Sequence, residues 1–304
     1  MREILLIFIY TIYMYKGGKT YIMHSSNRHV LSFMYYPAIY TLLNLLPLVY
    51  NTVEIIFKLS NNNYDNIVEG DTLIWVGVYP PDYSKLKKKN IYIIHFNLEP
   101  EVEDFNCDEI WTYSLYMFNE YKNSNLVKNK IIKYIPIIHD ETLPITKYTE
   151  NNSQMQLAFF GRLYFRAETY EILKATGLTV YEIYTLWSET DFNKFINNNT
   201  HIYLNLSKSN TKALASLRIN KLLSHKCIII SEHTNEIDEE LYKDIVFFKD
   251  LSEICSFYKS LIALSKSELE TIANNSYQKF ISIFNVKDAT SLIQTYKIPS
   301  SVNV

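Results

Sequence analysis

Glycine is scarce in this 304-residue chain, with six residues in all: Gly17, Gly18, Gly70, Gly77, Gly161 and Gly177. Neither a Walker loop nor a GxGxxG fingerprint can be assembled from those positions, which excludes two common phosphate-cradling loops. Cysteine is nearly as rare. Cys107, Cys227 and Cys255 lie too far apart for a CxxC metal site or a disulfide framework, and an odd count fits a reducing compartment, so a cytoplasmic location is expected. Neither sign of charge is in excess: 30 Lys and Arg stand against 32 Asp and Glu, a formal net charge of −2. The two signs are interspersed, so no field draws the chain to a phosphate backbone, and nucleic acid is not expected as a partner. The short cluster Lys85, Lys87, Lys88 and Lys89 reads as a solvated helix end.

Long clean hydrophobic runs are also missing. Residues 4–14 are apolar but have no basic flank beyond Arg2 and no small-residue cleavage site, and read as a buried first strand rather than a signal peptide. From Leu31 to Phe57 the sequence is again apolar, yet Pro37, Asn44, Pro47, Asn51 and Glu54 interrupt it before about 20 apolar residues accumulate. Membrane association is not expected.

What is present describes a globular chain: 48% hydrophobic, 15% aromatic and 20% charged residues, enough for two ordinary cores. The 26 tyrosines, with abundant Asn, Ile and Lys, read as the product of an AT-rich genome before they read as a stacking platform. Strands are expected at Glu3 to Tyr10, Val53 to Leu59, Asp71 to Gly77, Asn90 to Phe96, Asp108 to Thr112 and Lys130 to Ile135. Their hydrophobicity is continuous rather than alternating, as in strands covered by helices on both faces. Helices are expected between them, at Asn27 to Leu46, Asp82 to Lys89 and Leu115 to Asn123, a parallel α/β rhythm. The polar stretch Ile138 to Gln154 marks a boundary.

The alternation then restarts. Strands are expected at Met155 to Phe160, Leu178 to Tyr184, His201 to Leu206, Cys227 to Ser231 and Ile245 to Phe248, with helices at Arg166 to Thr176, Thr190 to Asn197 and Ala213 to Ser224. Helical periodicity runs from Ser252 to Phe284. The expected fold is α/β: two tandem Rossmann-like domains over residues 1–145 and 146–285 facing a central cleft, closed by C-terminal helices, with a helix and tail over 286–304.

Chemistry concentrates in three segments. In LAFFGRLYFRAE, Leu157 to Glu168, an apolar strand ends at Gly161, with Arg162 and Arg166 on the turn. A glycine that admits a ligand, a helix N-terminus and two guanidiniums are the parts of a pyrophosphate site. The same arginines can equally pair with Glu168 and Glu171. Farther on, Asn205 ends a strand, Arg218 lies one turn into a helix, and Ser231 and Glu232 end another strand. Glu232 can accept from a sugar diol and Arg218 can reach a phosphate, or the two can serve as a helix-end acid and a surface ion-pair partner. In the first half, His95 and Glu99 lie at the end of a strand, where either can act as a base or, for His95, as a satisfied structural histidine. Trp111 and Ser114 read as a packing residue and a helix N-cap, and Asp108 with Glu109 is not a metal motif.

The second half resembles the donor-binding domain of GT-B glycosyltransferases of the group 1 type. The resemblance rests on Phe160, Gly161, Arg162 and Arg166, then Arg218, Leu222, Leu223 and Ile228 to Glu232. In the first half, IIHFNLEPE, DEIWTYS and KYIPI are similar in order to bacterial and giant-virus members. The resemblance implies transfer of a sugar from a nucleotide-diphosphate sugar to a glycan, protein or small-molecule acceptor, without a cofactor and without an obligatory metal. Gly161, Arg162, Arg166, Asn205, Arg218, Ser231 and Glu232 would hold the donor, His95 and Glu99 would serve the acceptor, and a viral chain would work in the host cytoplasm. Lys221 stands where many group 1 enzymes carry a ribose-binding glutamate. A catalytically inactive, glycosyltransferase-like binding protein is the alternative; a periplasmic-binding-like carrier lacks an export signal.

Overall fold

The computed structural model describes residues 19–25, 31–49, 55–60, 64–148, 155–183, 189–198, 201–208 and 211–297. The strand expected at Glu3 to Tyr10, and Gly17 and Gly18, lie outside these. Two parallel sheets follow one another along the chain. The first contains β1 (Thr20–Ser25), β2 (Ile55–Ser60), β3 (Thr72–Gly77), β4 (Tyr92–Asn97), β5 (Glu109–Thr112), β6 (Ile131–Tyr134) and β12 (Gln294–Lys297), in the order β12-β6-β5-β4-β3-β1-β2. The second contains β7 (Gln156–Phe160), β8 (Val180–Ile183), β9 (His201–Asn205), β10 (Ile228–Glu232) and β11 (Phe247–Lys249), in the order β11-β10-β9-β7-β8.

In the first lobe the helices are α1 (Leu31–Val49), α2 (Tyr83–Lys87) and α3 (Leu115–Asn123). The second lobe contributes α4 (Ala167–Ala175), α5 (Glu189–Asn198), α6 (Ser216–Ser224), α7 (Glu236–Leu241), α8 (Leu251–Ile262) and α9 (Lys266–Phe284), and α10 (Val286–Leu292) returns to the first lobe, where Ala289 is buried in its core. Every residue of β3 and β5 is buried, which is why their sequences carry no alternation. Apolar clusters cover both faces of each sheet. Leu73, Trp75, Ile93 and Ile110 lie on one face of the first and Ile74, Val76, Ile94 and Trp111 on the other; Leu157, Phe159 and Ile230 oppose Ala158, Phe160 and Ile229 in the second.

Three findings depart from the expectations. β1 is a buried inner strand, between β2 and β3, yet TYIMHS gives no long apolar run because Thr20 and His24 are buried polar residues. α7 was not foreseen: its acidic first turn and Asn235 cap mark it locally, but it is only six residues long. The C-terminal segment, read as helix and tail, contains α10 and then β12, which returns to pair antiparallel with β6, Thr295 opposite Lys133. Backbone pairing recruits the polar sequence QTYK to a sheet edge. No helix of the described residues is long and apolar enough to cross a membrane. α1 instead turns Ala38, Leu42, Leu45 and Leu46 into the core.

The lobes are joined by polar ties as well as by α1 packing on α6. Asn220 of α6 donates to the Ile137 carbonyl at 2.6 Å and accepts from Tyr242 at 2.7 Å. The buried carboxylate of Asp238 in α7 accepts from the Leu214 N–H at 2.9 Å and from Ser114, the cap of α3, at 3.5 Å.

A buried ion pair lies in the first sheet. Glu109 accepts from Lys133 at 3.0 Å, from the Trp111 indole at 2.7 Å and from the Tyr92 hydroxyl at 2.9 Å. Removing one side of a buried pair leaves the other charge uncompensated. Lys133→Met is expected to lower the unfolding free energy by about 3–5 kcal/mol in urea titrations. Neutralising both sides with Glu109→Gln and Lys133→Met should recover part of the loss.

Candidate functional site

Parallel strands deliver all their C-terminal loops to one end, and in both lobes the polar residues gather there. In the first lobe, β4 ends at Asn97, level with Gly77 and Thr112. Asn97 is buried and organises the loop that follows. Its side chain accepts from the Glu99 N–H at 3.0 Å and donates to the Glu101 carbonyl at 3.1 Å and to the Tyr121 hydroxyl at 3.0 Å. Tyr121 in turn donates to the Glu101 carbonyl at 3.2 Å. Glu99 and Glu101 are therefore presented on a backbone held from below. Burial raises the pKa of Glu99, opposed by Lys208 and Arg166 and assisted by Glu101 and Glu103.

In the second lobe β7 runs into Gly161 at φ +134°, a conformation that L side chains rarely adopt. A β-carbon there would lie 3.2 Å from the Phe159 ring and 3.9 Å from Arg218 Nη2. Two guanidiniums share that ring, with Arg166 Cζ at 4.9 Å and Arg218 Cζ at 5.0 Å from its centroid. Arg166 is aimed by hydrogen bonds to the Leu206 carbonyl at 2.8 Å and the Arg162 carbonyl at 3.1 Å. Arg218 Nη1 is buried with no hydrogen-bond partner. Burial, and then the neighbouring Arg166, lower the Arg218 pKa to about 9. Two like charges on one ring, one of them with an unused buried donor, make a site that an anion would stabilise.

The surroundings fit that reading. α4 and α6 begin without a side-chain cap, but at the start of α6 the Ser216 and Arg218 N–H groups already donate to the Leu214 and Ala215 carbonyls, and the turn before α4 has its Leu163 N–H on Glu182, so the positive character of the site rests on the two guanidiniums. Glu232 at the end of β10 accepts from the Ser207 N–H. Its pKa is raised by burial and lowered in part by that bond and by Arg166. Asn205 Oδ1 and Thr234 Oγ1, at the ends of β9 and β10, are also buried without partners. No group of three or more His, Cys, Asp or Glu able to hold a metal occurs among the described residues.

The residues singled out in the sequence separate into two sets. Gly161, Arg166, Arg218 and Glu232 converge at the strand ends, with Glu99 opposite. Arg162 is exposed on the 3-10 turn that precedes α4, and its carbonyl rather than its guanidinium engages Arg166. Ser231 is fully buried, accepts from Asn205 Nδ2 at 3.0 Å and donates to the Glu232 carbonyl at 2.8 Å. This corrects its assignment to the donor site, because the hydroxyl is used on both sides in joining β9 to β10. Asn205 contributes to the same clamp through Nδ2 and leaves only Oδ1 unused.

His95 requires the larger correction. It is fully buried inside the first lobe, its Nδ1 2.6 Å from the Tyr83 hydroxyl and its Nε2 3.1 Å from the Gly77 carbonyl. A carbonyl only accepts, so Nε2 carries the proton and Nδ1 accepts from Tyr83. Phe105 stacks on the ring at 3.8 Å, and burial lowers its pKa to about 4. The imidazole is neutral, satisfied and out of reach of the cleft. Lys221 is equally remote, buried with its ammonium 4.2 Å from the Phe192 centroid and 5.3 Å from that of Tyr36, at the joint between the lobes. Trp111 and Ser114 are a core residue and the cap of α3, as read.

Asn97, Phe159 and Lys208 were missed. A polar residue closing an apolar run just before LEPE was a usable signal for Asn97. Phe159 looks like any core aromatic in the sequence, and Lys208 like any surface lysine.

No protein-family model matches this sequence, and no curated protein does. Solved structures do. T4 phage BGT, in complex with its substrate UDP-glucose, superposes with a TM-score of 0.53 over 90% of this chain and 98% of its own, at 13% identity. An α1,3-fucosyltransferase superposes with a TM-score of 0.50 over 91% and 89%, at 11% identity. The chain has the GT-B fold. At these identities the likeness is one of fold: two parallel α/β lobes whose strand ends face each other.

The GT-B placement of His95 generates a test. Truncation would leave the Tyr83 hydroxyl and the Gly77 carbonyl without partners, at about 1–3 kcal/mol for each unsatisfied group. His95→Ala should therefore lower Tm in a calorimetric scan, and an unchanged Tm would contradict this buried placement.

Proposed function

We propose that this chain is a glycosyltransferase that uses a nucleotide-diphosphate sugar and needs no metal ion. The observation that carries the reading is the pair Arg166 and Arg218 on Phe159 beneath Gly161, with Arg218 Nη1 buried and unpartnered. A diphosphate is the anion that such a pair would neutralise. The two guanidiniums supply the positive charge that a divalent cation would otherwise provide. Glu232 and Asn205 Oδ1 stand beside them as acceptors for the hydroxyls of the nucleotide or the sugar.

In the proposed reaction an acceptor hydroxyl attacks the anomeric carbon, the bond from that carbon to the diphosphate oxygen breaks, and the diphosphate leaves with the electron pair. The hydroxyl proton passes to Glu99, the carboxylate on the facing lobe. Arg166 and Arg218 stabilise the charge that develops on the departing oxygen. The acceptor is a glycan, a protein or a small molecule that enters beside Glu99.

Calorimetric titration with UDP, GDP, CDP and their sugar conjugates is expected to reveal binding by at least one. No response to any of them would sink the reading. Arg218→Met should weaken that binding by about tenfold or more, since a charge-assisted hydrogen bond is worth about 1.5–3 kcal/mol. Turnover should persist in EDTA. Binding without transfer to any acceptor would instead favour an inactive, glycosyltransferase-like binding protein.

The pH profile offers a second test. Burial holds the Glu99 pKa above the ordinary glutamate value, and the base works only when ionised. The rate should fall as pH drops through that raised value, and Glu99→Gln should abolish turnover while retaining nucleotide binding.

A further inference from the structure

Lys208 follows β9 in the second lobe, and its ammonium reaches across to the first. It lies 3.3 Å from Glu101 Oε1 and 3.8 Å from Glu99 Oε2. The groups on either side of this bridge are held. Asn97 and Tyr121 clamp the loop of Glu99 and Glu101, leaving those side chains to adjust. On the other side, the two residues before Lys208 are held by members of the anion site: the Leu206 carbonyl accepts from Arg166, and the Ser207 N–H donates to Glu232. An unbroken series of contacts thus runs from the paired guanidiniums through residues 206–208 to Glu99.

We propose that Lys208 is a positioning residue that holds Glu99 in place from the opposite lobe and ties the orientation of this carboxylate to occupation of the anion site. The proposal rests on the functional reading above. The charged groups facing Glu99 are Lys208 from the end of β9, Arg166 from the turn before α4, and Glu101 and Glu103 from its own loop; the Tyr113 phenol lies nearby. Lys208 is about half exposed, 44% for its side chain, so its replacement leaves no hole in a core.

Lys208→Met and Lys208→Arg in the full-length chain test the proposal. With a donor that wild type turns over, Lys208→Met is expected to lower kcat by about tenfold to a hundredfold, as misplacement of a reacting group does. The acid limb of the kcat profile should move to higher pH, because the cation that favours the ionised carboxylate is gone. Lys208→Arg should restore both. A weakened donor Kd with unchanged kcat, or a lower kcat with an unmoved acid limb, would overturn the proposal.

One readout is independent of turnover. In protein labelled with 13C at glutamate side chains, with the Glu99 resonance assigned by Glu99→Gln, Glu99 should titrate at higher pH in Lys208→Met than in wild type. An unmoved titration overturns the contact even if no nucleotide binds, whereas failure of nucleotide binding with a moved titration overturns only the functional reading.

Discussion

Apart from β12, every described strand runs parallel to its neighbours, and the rest of the molecule follows from that constraint. A parallel sheet needs a crossover between consecutive strands, the crossovers cover both faces, and every loop at the strand C-termini emerges at one end. The strands can then be apolar throughout, with polar function confined to their last residues. Two such sheets, joined by α1 against α6 and by the ties at Asn220 and Asp238, bring their loop ends together. Asn97 and Glu99 on one side meet Arg166, Lys208 and Glu232 on the other.

Within that frame the site is built against local electrostatic preference. Arg166 and Arg218 repel each other, and burial disfavours the charge on both. They are kept together by the Phe159 face, by the Leu206 and Arg162 carbonyls that aim Arg166, and by the absence of a β-carbon at Gly161. The facing loop is the complement, with carboxylates at Glu99, Glu101 and Glu103. Buried like charges and an unused buried donor are costly to stability and useful for binding. The buried pair of Glu109, at the start of β5, and Lys133, in β6, is satisfied from several sides and lacks that unused capacity.

The strand and helix rhythm was legible because both sheets are covered on two faces: runs such as TLIWVG and IIISE have no other stable use in a folded chain. β1 was not legible, since its buried Thr20 and His24 disguise it. Nor was β12, whose exposed polar residues join the sheet through backbone bonds that any sequence can make. The placement of Gly161 and Arg166 together at a strand-to-helix turn was readable from local order. The same reasoning misassigned Ser231 and His95. A polar residue near a strand end can point into the cleft or into the core, and one-residue steps along a strand reverse which of the two it does.

Composition and order alone determined the class of this protein: parallel α/β in two halves, without a glycine-rich phosphate loop. Those properties depend on periodicity and on residue types within a few positions of each other. The tertiary structure decided which polar residues act together. Arg218 and Arg166 are 52 positions apart in sequence but share one ring, and Lys208 faces Glu99 from more than a hundred positions away. His95, four positions from Glu99, was removed to the interior by Tyr83, Gly77 and Phe105. Contacts between lobes are set by how two sheets dock, and no local pattern in the chain encodes that distance.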